Sequence, residues 1–277
     1  DGRDGRKGNR NGEESGVTER RRSVSESVEF GRMQTDFVLF GPLHLFLLVL
    51  IPLGAALLAQ RAQKYPERKR CFRIAMAVLL MGSELYYYGY LHGRGWLRFP
   101  EQLPLQLSTV TLWITIFALF TLSSWCFDLA YYYGLTGAWL SMVTPDLWAP
   151  VLSVATIQFF IDHGGVVVAV LFLVLAGEAK PSRKGIWRAF LALNVITLLV
   201  GLFDALYGTN YMFLREKPSH RTLLDFLGPW PLYILCADAM ALVLFWLLHL
   251  PFHGKRRAAA PADQVRGSAR LEYSQTR

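Results

Sequence analysis

The chain has 277 residues, 53% hydrophobic and 14% aromatic, with only 18% charged and 29 Lys+Arg against 21 Asp+Glu. An ordinary soluble domain carries about 25% charge and about 45–50% apolar residues; here the charge is also gathered at the two ends and in short loops between apolar runs. That excludes a soluble α/β enzyme and a disordered chain, and three cysteines far apart (Cys71, Cys126, Cys236) make neither a disulfide framework nor a zinc site.

Residues 1–32 hold 8 Lys+Arg and 7 Asp+Glu and almost no large apolar side chains, too little to offset the entropy of ordering. They are expected to be a disordered N-terminal extension. Met33 stands three residues before the first apolar stretch and is the expected start, which makes 1–32 an upstream over-extension. The alternative is a genuine tail, and amino-terminal sequencing separates the two. A helix needs about 20 apolar residues to cross the hydrocarbon core. Seven segments qualify: 37–59, 71–91, 103–123, 126–144, 151–176, 187–207 and 227–250. The fourth is the weakest, with Asp128, three tyrosines and two glycines inside it. The expected fold is all-α, a polytopic seven-transmembrane-helix bundle over 33–252, followed by a disordered basic tail over 253–277.

The loops orient it. Arg61, Lys64, Arg68, Lys69, Arg70 and Arg73 after the first span, Lys180, Arg183, Lys184 and Arg188 after the fifth, and Lys255, Arg256 and Arg257 in the tail share one side. Arg94, Arg98, Arg215, Lys217 and Arg221 lie on the other. The positive-inside rule puts the thirteen in the cytoplasm and the five outside, so the N-terminus is expected outside and the C-terminus cytoplasmic. The eight basic residues of 1–32 then fall on the wrong side, a second argument for Met33.

Ionisable side chains at membrane depth cost about 2.5–3.5 kcal/mol each on insertion scales and usually face the bundle interior. Here they are Glu84, Asp128, Asp162, His163, Asp204 and Asp238, with neutral Gln106, Gln158 and Asn194. Asp162 and His163 stand near the middle of a long run before Gly164-Gly165. Adjacent helical residues point about 100° apart, so the two are expected to meet different neighbours. A carboxylate and an imidazole there suit a base with its partner or a proton relay; an interhelical hydrogen bond, with glycines permitting close approach, is the plain alternative. Asn194, Thr197, Gly201 and Asp204 share one helical stripe, which lines a pocket or packs against protein. Asp238 and Glu84 read as lone acids that pair with each other or carry a proton; Asp128, near a span end, reads as structural. The loop 208–225, with Asn210, Tyr211 and Lys217, suits a substrate mouth or a headgroup-level anchor. Tyr86-Tyr87-Tyr88 and Tyr131-Tyr132-Tyr133 read as belts and packing. No nucleotide loop, haem motif, HExxH or GxSxG occurs, so no cofactor and no metal are expected. The basic character fits orientation and anionic lipid, with membrane lipids as partners and no nucleic acid.

Several strings resemble the bacterial YwaF-like integral membrane proteins: Phe37-Val38-Leu39-Phe40-Gly41-Pro42-Leu43-His44-Leu45, Leu103-Pro104-Leu105, Thr144-Pro145-Asp146 and Phe159-Phe160-Ile161-Asp162-His163-Gly164. The most specific is Gly208-Thr209-Asn210-Tyr211-Met212-Phe213-Leu214-Arg215-Glu216-Lys217-Pro218 with Leu223-Leu224-Asp225 and Gly228-Pro229-Trp230-Pro231. The resemblance covers about 33–252 and implies a multi-pass protein of the bacterial cytoplasmic membrane whose activity is unsettled. That family is in turn similar to the eukaryotic transmembrane protein 164 group, acyltransferases that remodel ether phospholipids through a proposed cysteine acyl carrier beside a proline. Where members commonly read LPLHLC, this chain has Gln106 for the histidine and Ser108 for the cysteine, so an acyl-cysteine mechanism does not carry over. A serine in its place needs an activating base, and His163 is the midplane histidine.

Three functions follow as expectations. The first is a lipid- or acyl-handling, acyltransferase-like enzyme lacking the expected cysteine, with His163, Asp162 and Ser108 catalytic. Gln106, Asn194, Asp204, Asn210, Tyr211, Lys217, Glu84 and Asp238 then bind substrate, in a polar pocket opening outward. The second is a small-molecule or proton-coupled transporter with the acids as relay sites. The third is a non-catalytic structural or partner-binding membrane protein.

Overall fold

Proline and serine set where the helices begin. The computed structural model describes residues 36–147, 149–218 and 222–253; the expected extension 1–32, Met33 and all but the first residue of the expected tail lie outside them. Pro42, at a first-turn position where its missing N–H costs nothing, opens α1 (Pro42–Lys64). The expected span began at 37, but Phe40 takes a left-handed φ of 57° in the turn before it, so the helix starts later and runs on through Arg61 and Lys64. Next come α2 (Lys69–Gly93) and α3 (Leu107–Thr121). Then α4 (Ser124–Tyr133) continues through a π-helical stretch, Gly134–Ala138, into α5 (Trp139–Val143). The side chains of Ser153 and Ser182 accept the amides of Thr156 and Gly185 and so cap α6 (Val154–Leu175) and α7 (Arg183–Tyr207). Gly208, at φ 75°, ends α7 in the left-handed conformation that glycine adopts freely, and α8 (Leu232–His249) completes the chain of helices. No strand occurs among the described residues, and the fold is all-α.

Among the described residues four helical segments, against the seven expected spans, are long and apolar enough to cross a membrane: Pro42–Lys64, Val154–Leu175, Arg183–Tyr207 and Leu232–Phe252. Large apolar side chains stand out from them, among them Leu198 at 72%, Leu206 at 71% and Leu235 at 65% exposure. Contiguous exposed apolar surface on this scale needs a covering in water, and a bilayer supplies one.

At the centre lies α6, packed against α1, α2, α3 and the π-helical stretch. Its glycines set the spacing: a Cβ on Gly164 would stand 2.8 Å from Ile51 Cδ1 of α1, and one on Gly165 2.6 Å from Leu80 Cδ2 of α2. Small residues let helix backbones approach where lipid offers no hydrophobic drive.

At one end Gln63, Lys69 and Arg73 cap the last carbonyls of neighbouring helices. Gln63 donates to Leu175 O at 2.7 Å, Lys69 to Ala176 O at 2.8 Å and Arg73 to Leu119 O at 3.1 Å. Lys69 and Arg73 also pair with Glu178 at 3.5 and 3.2 Å. Cations on the last carbonyls satisfy groups that a helix leaves orphaned and suit the negative end of its dipole. At this end Asp128, 1% exposed, accepts from Ser182 N at 2.9 Å and Ser182 Oγ at 2.8 Å and pairs with Arg188 at 3.2 Å. Tyr131, Tyr132 and Tyr133 are core residues rather than belts: their hydroxyls donate to Leu248 O, Ser182 O and Ala189 O, tying α4 to α7 and α8. His44, fully buried, works the opposite end, accepting Phe40 N–H on Nδ1 and donating from Nε2 to Met142 O. Both ring nitrogens are spent, so it is a clamp.

Candidate functional site

Away from the basic end, α2, α3, α6 and the residues after α7 line a cavity of about 300 Å³. Three stretches furnish its polar wall. On α6, Gln158, Asp162 and Val166 follow one another at helical spacing with His163 beside them; on α2, Glu84, Tyr87, Tyr88 and Leu91 do the same. Gln106, Ser108 and Thr109 form the start of α3, while Glu101, Gln102 and Leu103 come from the loop before it and Tyr211 from beyond α7.

The Gln158 amide joins the two acids, donating to Glu84 Oε2 at 3.0 Å and to Asp162 Oδ2. Asp162 is 7% exposed, and its Oδ1 has no hydrogen-bond partner among the described residues. The expectation that Asp162 and His163 meet different neighbours holds for their contacts, yet both line the one cavity. Asp162 is joined to α2 through Gln158, whereas His163 folds back along its own helix, stacked on Phe159 at 4.2 Å with Nδ1 2.9 Å from Phe159 O. A carbonyl only accepts, so Nδ1 carries the proton, and in the neutral ring Nε2 holds the lone pair. That lone pair has no protein donor among the described residues.

Ser108 stands in the first turn of α3. The N-cap, Gln106, makes no side-chain cap, because its Oε1 accepts Met212 N at 3.1 Å instead. The first turn thus has no side-chain cap from Gln106, and Gln106, Ser108 and Thr109 line the cavity. First-turn amides, with the positive end of the helix dipole behind them, stabilise an oxyanion. Tyr211, 5% exposed, accepts Leu103 N at 2.8 Å and donates to Pro100 O at 2.7 Å. Burial holds its phenol above the ordinary range, which keeps it a donor.

Of the residues singled out in the sequence, Glu84, Gln106, Ser108, Asp162, His163 and Tyr211 come together. The other five do not line this cavity. Asn194 and Asp238 bind each other at 3.1 Å between α7 and α8, so Asp238 is not the partner of Glu84. Asp204, fully buried, accepts Thr209 Oγ1 at 2.6 Å and Tyr211 N at 3.0 Å and so anchors the segment after α7. Asn210 folds that segment on itself, bonding the amides of Arg215 and Glu216 and the carbonyl of Glu216. Lys217 lies 3.9 Å from Asp225 and over the Tyr233 ring. The stripe Asn194 to Asp204 therefore serves packing: Gly201 faces Leu214 and Asp204 holds a turn. Tyr87, Glu101, Gln102, Thr109 and Gln158 were not placed in the site by sequence. Only Gln158 carried a signal, four residues before Asp162 on the same face.

No group of three or more metal-ligating side chains occurs among the described residues. The sequence model of the TMEM164 family matches residues 39–249, which include every residue that lines the cavity. An uncharacterized protein of Treponema pallidum (strain Nichols) is 25% identical over 229 residues, 80% of this chain and 94% of its own length. No solved structure matches the chain.

Proposed function

Because the chain belongs to the TMEM164 family, we propose that it is a membrane enzyme of lipid acyl transfer, in which Ser108 takes the acyl group and His163 is its base. The observation that carries this reading is one cavity holding Ser108 on the uncapped first turn of α3 and His163 with its Nε2 lone pair free. Ser108 Oγ attacks the acyl carbonyl of a lipid ester while His163 Nε2 accepts the hydroxyl proton. The first-turn amides of α3 hold the oxyanion. The ester C–O bond breaks, and the proton passes from His163 to the departing alkoxide. A second hydroxyl then attacks the Ser108 ester, with the same proton movements, and leaves acylated. His163→Ala is expected to change the acyl profile of host lipids with the folded protein still in the membrane; an unchanged profile sinks the assignment.

The finer placement goes with this proposal: a YwaF-like protein whose seven helical rods, α4 and α5 forming one, all cross the bacterial cytoplasmic membrane. The basic end is cytoplasmic and the cavity opens outward. One observation favours a second reading, a proton-coupled carrier: the Glu84–Gln158–Asp162 bridge puts two carboxyls in one intramembrane cavity. That reading expects pH-dependent uptake in proteoliposomes to be abolished in Asp162→Asn, and uptake indifferent to the change removes it.

A further inference from the structure

The acids of the cavity wall have no basic counterpart. Glu84, Asp162 and Glu101 line it, from α2, α6 and the loop before α3, and no lysine or arginine does. None of the three stands in an ion pair among the described residues. Elsewhere the fold compensates its acids: Asp128 meets Arg188 at 3.2 Å, and Glu178 meets Lys69 and Arg73 at 3.5 and 3.2 Å. Glu84 and Asp162 are 3% and 7% exposed, and the Gln158 amide that joins them is neutral. Asp162 Oδ1 is left buried with no hydrogen-bond partner. Two neighbouring carboxyls keep both charges only where a cation stands beside them, and ionised groups at membrane depth are found with partners. Aromatic rings supply more of the wall: Tyr87 and Tyr88, with centroids 6.5 Å apart and planes at 66°, and Tyr211 from beyond α7. A tyrosine ring attracts a cation through its quadrupole, and a carboxylate accepts charge-assisted hydrogen bonds.

We propose that the cavity is a binding site for an ammonium cation, an alkylated amine that is either a free small molecule or part of a lipid headgroup. Asp162 and Glu84 hold the charge, Glu101 draws it in from the exposed loop, and the rings of Tyr87 and Tyr88 flank it. A volume of about 300 Å³ suits a group of that size. A phosphate or carboxylate would face the same three acids with no basic side chain to receive it, so the wall selects its ligand by sign. Binding at equilibrium needs no lipid ester, so this site fails or stands apart from the acyl-transfer reading.

The test is calorimetric titration of the full chain, purified in detergent, with propylammonium and tetramethylammonium chloride. Propanol is the neutral control and sodium acetate the anionic one. Both ammonium ions are expected to bind, and propanol and acetate to bind more weakly by roughly tenfold or more. Asp162→Asn and Glu84→Gln should each weaken the ammonium ions roughly tenfold, and Tyr88→Leu should weaken tetramethylammonium roughly threefold. Glu101→Gln, at an exposed position, keeps the test alive if a buried variant does not fold, and should weaken them roughly threefold. Nanodiscs then identify the source. Replacing an uncharged sugar-headgroup lipid by phosphatidylcholine should weaken propylammonium by competition if a headgroup is the occupant, and leave it unchanged if a free amine is; either result keeps the site. The proposal is overturned if propanol or acetate binds as tightly as propylammonium. It is also overturned if Glu101→Gln and whichever of Asp162→Asn and Glu84→Gln folds bind as the parent does.

Discussion

Asp128→Ala is expected to deplete the folded protein, lowering the midpoint of thermal unfolding in detergent by well over 5 °C. The carboxylate is 1% exposed and carries three bonds that span two helices: the Ser182 amide, the Ser182 hydroxyl and the Arg188 guanidinium. Ser182 is also the N-cap of α7, its hydroxyl oxygen accepting the Gly185 N–H at 2.8 Å. Removing the carboxylate leaves the buried Ser182 donors without their acceptor, at about 1–3 kcal/mol for each group left unsatisfied, while the ion pair adds less because Arg188 is 38% exposed. That is a large share of the roughly 5–15 kcal/mol of net stability typical of a folded domain. Asp128→Asn retains the shape and one acceptor oxygen and should lose less. Gly185 supplies an internal check. A Cβ there would land on the Asp128 carboxyl group, so Gly185→Ala alone is also expected to destabilise strongly. Combined with Asp128→Ala, the methyl has room and the two losses should fall short of their sum, as expected for residues in contact. An unfolding midpoint that Asp128→Ala leaves unmoved refutes this account of the α4–α7 junction.

The all-α class was legible because long apolar runs have few other stable solutions, although only four helices among the described residues are long and apolar enough to span. Their ends were less so: Phe40 and Pro42 delay α1 by a turn that hydropathy does not see. The reading of Asp128 as structural follows from its place near a span end, where a basic loop is within reach. What one sequence does not display is which rods touch. Gln158 and Glu84 are 74 positions apart, and Gly165, by admitting Leu80, lets α6 approach α2 where their polar faces meet. Helical spacing alone put Asn194 and Asp204 on one stripe, but a stripe does not say what it faces. Asn194 found Asp238, and Asp204 found the chain just beyond its own helix. Gln106 shows the same limit from the other side. Its interest came from the histidine that similar proteins carry there, and its observed work, holding Met212 N, depends on a loop more than a hundred residues away.

Ser108→Cys is expected to keep an acyl-enzyme and change its chemistry, while Ser108→Ala loses it. Purified protein in nanodiscs, given a phospholipid with a radiolabelled acyl chain, should carry a covalent label that resists neutral hydroxylamine, as an oxygen ester does. The cysteine variant should carry a label that neutral hydroxylamine releases, as it does a thioester. A serine hydroxyl reacts only when a base removes its proton during attack, so the serine enzyme depends heavily on His163. A thiol, with an unperturbed pKa of about 8.5, is already a few per cent ionised near neutrality and leans on that base less. His163→Ala should therefore slow labelling by roughly 10²–10⁴-fold in the serine protein and by distinctly less in the Ser108→Cys background. The first-turn amides of α3 serve either nucleophile alike, so their contribution cancels in that comparison. Because cysteine differs from serine by one atom, a fold that holds Ser108 on the first turn of α3 holds its replacement in the same cavity. A label that persists in Ser108→Ala, or one insensitive to His163→Ala in the serine protein, removes the pair from the reaction and leaves the Glu84–Gln158–Asp162 bridge as the chemistry of the cavity.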